Sequence, residues 1–357
     1  MPRRTVPMLI LLTAVLTVAT AYAQSVDDPS RAPGRARRAL AATQKYRDAG
    51  DHERAVAVLT ETLIDHPEND HHLLRLHLAL SLRHLGRDAE ALEHLNLAAE
   101  LEPRSRDVQL TRAGAALATG AYGIAAVALE AAWRLQPEEG PALLHDAVVA
   151  RLLADDASGA ATLADEFLDI AGQPNVEQLR TVLTAAVYAA MPALARRAAE
   201  RCITIHADDP EAWILVSQAR QSVDDLTGAA AALEAADWLR PLSPADRSRL
   251  GDLLFAAGVP AMAAAQYAEV FGTAPDGDQA ERLASAWMAA HRYDDAALVL
   301  QAITSTSPNA RLWALLGDVR LEQERYAQAA AAYRSSLALS SDDDIQARLR
   351  HCEIMAE

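Results

Sequence analysis

Aromatic residues are scarce, with tryptophan, tyrosine and phenylalanine making up only 4% of 357 residues. Such a chain has little with which to stack bases or to build the flat platforms that sugars favour. Cysteine occurs twice, as Cys202 and Cys352, which excludes a disulfide framework or a cysteine-rich metal site. Lysine occurs once, as Lys45, so Schiff-base and lysine general-base chemistry have almost no candidate. Positive charge is short overall: 33 Lys+Arg against 49 Asp+Glu leave a formal charge of −16. That balance argues against nucleic acid, or an anionic lipid surface, as a general partner. Beyond residue 23 no apolar run is long enough to span a bilayer. G-x-S-x-G, Walker A, G-x-G-x-x-G and C-x-x-C are all missing. The stretch from Asp51 to Val56 (DHERAV) opens like the zinc-protease H-E-x-x-H, but Val56 stands where the second histidine belongs. The sequence therefore predicts no catalytic residues and no enzyme.

Alanine is in surplus, filling 80 positions, and hydrophobic residues reach 51%. A core of Ala and Leu with few β-branched or aromatic residues predicts helix rather than sheet. Residues 1–23 read as a secretory signal peptide: Arg3 and Arg4, an apolar run from Met8 to Ala19, then Ala21-Tyr22-Ala23 before Gln24. The expectation is cleavage there and a periplasmic or secreted protein, with retention as an anchor left open. Residues 24–35, polar and proline-containing, read as a flexible leader.

From residue 36 the chain repeats. In the stretch 310–343, Trp313, Leu316, Gly317, Tyr326, Ala329, Tyr333 and Leu337 fall at positions 4, 7, 8, 17, 20, 24 and 28 of a 34-residue unit. Earlier copies lie at 36–69, 72–105, 106–139, 141–174, 176–209, 210–243, 244–276 and 277–309. Position 20 is alanine in all nine copies: Ala55, Ala91, Ala125, Ala160, Ala195, Ala229, Ala263, Ala296 and Ala329. Position 32 is proline in six, where it stops the second helix. This pattern resembles the tetratricopeptide repeat (TPR) family. The resemblance implies an all-α solenoid of nine helix–turn–helix repeats wound as a right-handed superhelix. Residues 344–357, with Ile345, Leu349, Cys352 and Ala356 on one helical face, would form the capping helix. Cys202 and Cys352 are expected as free thiols in the core, and the five tryptophans as packing residues.

Two clusters remain as candidate sites. His66, His71 and His72 surround the turn between repeats one and two, a weak pattern for a divalent metal and otherwise a polar turn beside exposed helix histidines. The resemblance also implies a concave groove lined by the first helix of each repeat. In repeats two to four its positions hold Leu73, Leu76, His77, Leu80, Arg83, His84, Leu110, Leu117, His145, Val149 and Leu152. This stretch is apolar with a basic fringe, suited to an amphipathic helix or extended segment of a partner protein. Repeats five to nine present a more polar wall that includes Asp252, Glu281 and Arg282. The Lys and Asn with which the family clamps a terminal carboxylate are missing from this groove. The reading is a non-enzymatic exported scaffold or adaptor without cofactor, acting in envelope assembly, secretion or polysaccharide export. A peptide- or glycan-recognition module and a metal-handling protein are the alternatives.

Overall fold

The computed structural model describes Ala32, residues 34–273 and residues 275–356. The signal segment, and all of the leader but Ala32, Gly34 and Arg35, lie outside the described residues. Among those described there are nineteen α-helices and no strand. Contacts divide the chain into two units, residues 1–198 and 199–357.

The first unit holds α1 (Gly34–Asp48), α2 (His52–Asp65), α3 (His72–His84), α4 (Asp88–Leu101), α5 (Arg106–Ala118), α6 (Tyr122–Leu135), α7 (Ala142–Leu153), α8 (Ala157–Ile170) and α9 (Val176–Tyr188). The division falls within α10 (Pro192–Ile205). The second unit holds α11 (Pro210–Ser222), α12 (Leu226–Leu239), α13 (Pro244–Ala256), α14 (Pro260–Phe271), α15 (Gly277–Ala289), α16 (Tyr293–Thr306), α17 (Ala310–Glu322), α18 (Tyr326–Leu339) and α19 (Asp343–Ala356).

Local chemistry marks where the helices start. Prolines 192, 210, 244 and 260 each occupy a first helical position, where a missing N–H costs nothing. Asn175 and Asp276 form capping boxes with Gln178 and Gln279, satisfying two otherwise orphaned donors each.

The turn inside each helix pair is built one way throughout. One residue takes positive φ in every pair: Gly50, Gly86, Gly120, Asp155, Ala190, Asp224, Gly258, His291 and Glu324. Each falls at position 15 of its repeat. The next residue's N–H reaches back five residues to a carbonyl, as from Asp51 to Tyr46 (2.8 Å) and from Arg325 to Arg320 (2.9 Å). This is the Schellman closure, which satisfies carbonyls the helix end would leave orphaned.

Within each unit every helix packs on the next, and first helices of successive pairs also touch, as α1 on α3, α3 on α5 and α15 on α17. The nine position-20 alanines are all at most 1% exposed, so the helices cross where a larger side chain would force them apart. Two close approaches depend on glycine. A Cβ on Gly251 or Gly317 would overlap the ring of Tyr267 or Tyr333. Both cysteines are free and buried, as expected. On α19, Ile345 and Cys352 are buried beside Tyr333, while Ala356 is exposed.

The tryptophans do not all pack. Trp133 is buried, and Trp213, Trp287 and Trp313 are half-buried, but Trp238 is 90% exposed. The reason is register. Trp133 stands at position 28 of its repeat and Trp238 at position 29, and one step turns a helical side chain by about 100°. That turn carries Trp238 from the core side into solvent.

Candidate functional site

The apolar candidates of repeats two to four are mostly core. Leu73 and Leu76 are 1% exposed, and His77, Leu110, Leu117 and Val149 are also buried. Leu80, Arg83, His145 and Leu152 are half-buried, and only His84 is exposed. A partner's side chain cannot reach a leucine sealed between helices. The expected apolar groove is therefore not an open surface in this region. In a strip where α3 and α5 touch, leucines at those positions are covered by the neighbouring helix, which a single-helix periodicity cannot distinguish from exposure.

The histidine-rich turn is structural as well. His71 caps α3, its Nδ1 accepting from the Leu73 N–H at 3.3 Å. His66 lies against the Arg35 guanidinium at 2.7 Å. Among the described residues no group of three or more His, Cys, Asp or Glu could hold a metal ion. The helix histidines, expected exposed, pack in part. His52 and His84 stack with ring centroids 4.3 Å apart and planes 9° from parallel. His77 touches Arg47, and its Nε2 is buried without a partner. Burial, reinforced by the Arg47 charge, pushes the His77 imidazole down to about 4.

Groove positions of the second unit line two clefts. Asp252 and Phe255 on α13, Tyr267 on α14, and Glu281, Arg282 and Ser285 on α15 line a cleft of about 250 Å³. Ser285 also borders a second cleft of about 370 Å³, lined by Met288, Ala289, Tyr293, Leu315 and Glu322. The two thus meet at one residue on α15. Phe255 is 41% exposed, and Met288 and Leu315 are half-buried. The clefts combine reachable apolar groups with carboxylates.

A polar lattice holds the first cleft's wall. The Tyr267 hydroxyl donates to Asp252 at 2.6 Å, and Arg282 pairs with the same carboxylate while lying over the Tyr267 ring at 4.8 Å. Burial, then the bond to Asp252, pushes the Tyr267 phenol up to about 12. The arrangement recurs two pairs later: the Tyr333 hydroxyl donates to Asp318 at 2.8 Å, and Arg348 on α19 pairs with Asp318. Glu281 is engaged by Arg311 at 2.5 Å. Asp252, Glu281 and Arg282 are sites the repeat register places on the groove wall. Phe255, Ser285, Met288 and Leu315 share the same register positions (12, 9, 12 and 6), so the signal was present, but the polar neighbours obscured it.

No helix among the described residues is long and apolar enough to cross a membrane.

The model of the tetratricopeptide repeat matches residues 40–106 and 281–344, one stretch in each unit. No curated protein matches the chain. Solved structures similar to it include the TPR domain of P58(IPK), 16% identical over 89% of this chain and 97% of that one, with a TM-score of 0.28. Part of a TPR repeat-containing protein from Cytophaga hutchinsonii is 14% identical over 77% and 99%, with a TM-score of 0.41. A tetratricopeptide repeat protein from Parabacteroides merdae is 15% identical over 88% and 98%, with a TM-score of 0.31. Matched by the family model in each unit, over residues 40–106 and 281–344, the chain carries tetratricopeptide repeats in those two stretches.

Proposed function

We propose that the protein is a non-enzymatic scaffold, exported to the periplasm or beyond, that holds another protein in the paired clefts of its second unit. Tetratricopeptide repeats generally mediate protein–protein interaction, and the fold is typically a non-catalytic scaffold. The observation that carries the reading is the meeting of the two clefts at Ser285, with Phe255, Met288 and Leu315 reachable between Asp252, Glu281 and Glu322. The partner this chemistry suits is a segment presenting apolar side chains with arginine or lysine beside them. The export reading rests on the sequence of residues 1–23, and a role in envelope assembly, secretion or polysaccharide export follows from it.

The test is a photo-crosslinking amino acid at Ser285, followed by mass spectrometry of the adducts. We expect one dominant protein partner, lost in a Phe255→Glu/Leu315→Glu variant and kept in Leu298→Glu, which alters an exposed leucine outside both clefts. Equal adducts in all three proteins would overturn the reading.

A further inference from the structure

One helix breaks the charge pattern of the molecule. α1 carries five of the chain's 33 basic residues, Arg35, Arg37, Arg38, Lys45 and Arg47, and one of its 49 acidic residues, Asp48. It is a +4 segment in a chain that is −20 elsewhere. Its buried face is Ala36, Ala39, Leu40 and Thr43, which sets the opposite side toward solvent. Arg35, Arg37, Arg38 and Lys45 are exposed. Arg35, Arg38 and Lys45, spaced i, i+3 and i+10, share one side of the helix.

The pairing pattern is as unusual as the charge. Along the rest of the array most arginines, though not Arg112, Arg220 or Arg320, are tied to carboxylates, as Arg75 is to Asp70, Arg134 to Glu166, Arg247 to Asp237 and Arg334 to Glu353. Among the described residues no carboxylate forms an ion pair with any of the five α1 cations. Arg35 meets a histidine, while Arg37 and Arg38 donate only to the backbone carbonyls of Ala32 and Gly34. In a chain this rich in Asp and Glu, a face of unneutralised cations is free to meet an outside anion.

We propose that the exposed face of α1 docks on a membrane surface bearing anionic lipid headgroups. Two facts favour lipid over an acidic protein. Three cations along one side of a helix fit a plane of diffuse negative charge, and each such cation adds to surface attraction. In sequence, the apolar run that ends at Ala19 lies 15 residues before Gly34, a reach of at most about 50 Å when extended. A chain that keeps that run in a bilayer holds α1 within this reach of the surface. The −20 carried elsewhere does not cancel the contact, because at physiological salt charges more than about 8 Å apart are largely screened. This docking involves neither cleft of the second unit, so it stands or falls separately from partner capture.

The full-length chain is mixed with phosphatidylcholine vesicles, and with vesicles in which about one-third of the lipid is phosphatidylglycerol. We expect binding to the anionic vesicles to be tighter by about tenfold or more, and to weaken steeply as salt is raised. Arg35→Glu/Arg38→Glu/Lys45→Glu should lose that preference with helicity unchanged. Arg292→Glu/Arg325→Glu/Arg334→Glu, which lowers the net charge equally at exposed sites in the second unit, should keep most of it. The apolar run is present in every protein compared, so differences report α1. Equal binding to neutral and anionic vesicles, or equal loss in both triple variants, overturns the proposal. So does a preference that appears only as self-association, abolished by the α1 variant in the ultracentrifuge without lipid. If the α1 variant fails to fold, Arg35→Gln/Arg38→Gln/Lys45→Gln carries the same comparison.

Discussion

The two units treat the same repeat positions in opposite ways. In the first, groove positions hold Leu73, Leu76, Leu110 and Val149, all buried. In the second, they hold Asp252, Glu281, Ser285 and Phe255, which line open clefts. The apolar version closed up because leucine beside leucine gains more from packing on the next helix than from facing water. The mixed version stayed open because its carboxylates and their arginine partners remain hydrated at the surface. At these groove positions the apolar side chains within reach are those set beside carboxylates, as Phe255 is beside Asp252.

That contrast can be broken most directly by one charge placed in each unit. Leu76→Glu puts an unpaired carboxylate in a site 1% exposed and should cost about 3–5 kcal/mol, read as a lower urea midpoint. Leu315→Glu in the second cleft should cost less than about 1 kcal/mol. Equal costs would mean that the two faces are equally buried.

Acid should separate the units next. The lowered histidines His52, His77 and His94 all lie in the first unit. For His77 the folded value of about 4 is below the ordinary value of about 6.5, so the unfolded chain binds a proton that the folded one refuses. Stability is then full above about pH 6.5, falls as pH drops toward 4, and falls no further from this group below 4. Full development of the effect amounts to about 3 kcal/mol. His77→Leu should flatten the pH dependence of melting in that window; an unchanged slope would remove His77 as its source.

A steric test comes third. Gly317→Ala sets a methyl group against the Tyr333 ring and should destabilise the second unit by about 1–3 kcal/mol in thermal melts. Tyr333→Phe, which only releases the bond to Asp318, should cost about 1 kcal/mol. The smallest effect is expected at the turns. Ala190 sits at φ 53°, where a Cβ is disfavoured, so Ala190→Gly should raise stability by about 0.5–1 kcal/mol. Gly50→Ala, at φ 75°, should lower it by a similar amount.

The fold was legible because its signals are local and repeated. Alanine at position 20 reports a helix crossing whichever repeat it occurs in, and all nine copies prove buried. The free, buried state of Cys202 and Cys352 followed from the same reasoning. The site was less legible because exposure depends on neighbours. Nothing in Leu76 itself distinguishes a groove residue from a sealed one. Trp238 shows the same limit at a single step of register, since position 29 faces out where position 28 faces in. His71 was visible as a histidine but not as a helix cap, because capping depends on where the backbone turns.

The nine left-handed turns have a practical consequence. Their closure uses backbone groups alone, and at Gly50, Gly86, Gly120 and Gly258 an added Cβ would meet nothing within 4 Å. Side chains there bear no packing load. Asp155, Asp224 and Glu324 already occupy such turns with exposed side chains. Both native thiols are buried, so a cysteine introduced at any of these three becomes a selective point for a fluorophore or spin label. Labels at such points can gauge spacing along the array without disturbing a single helix contact.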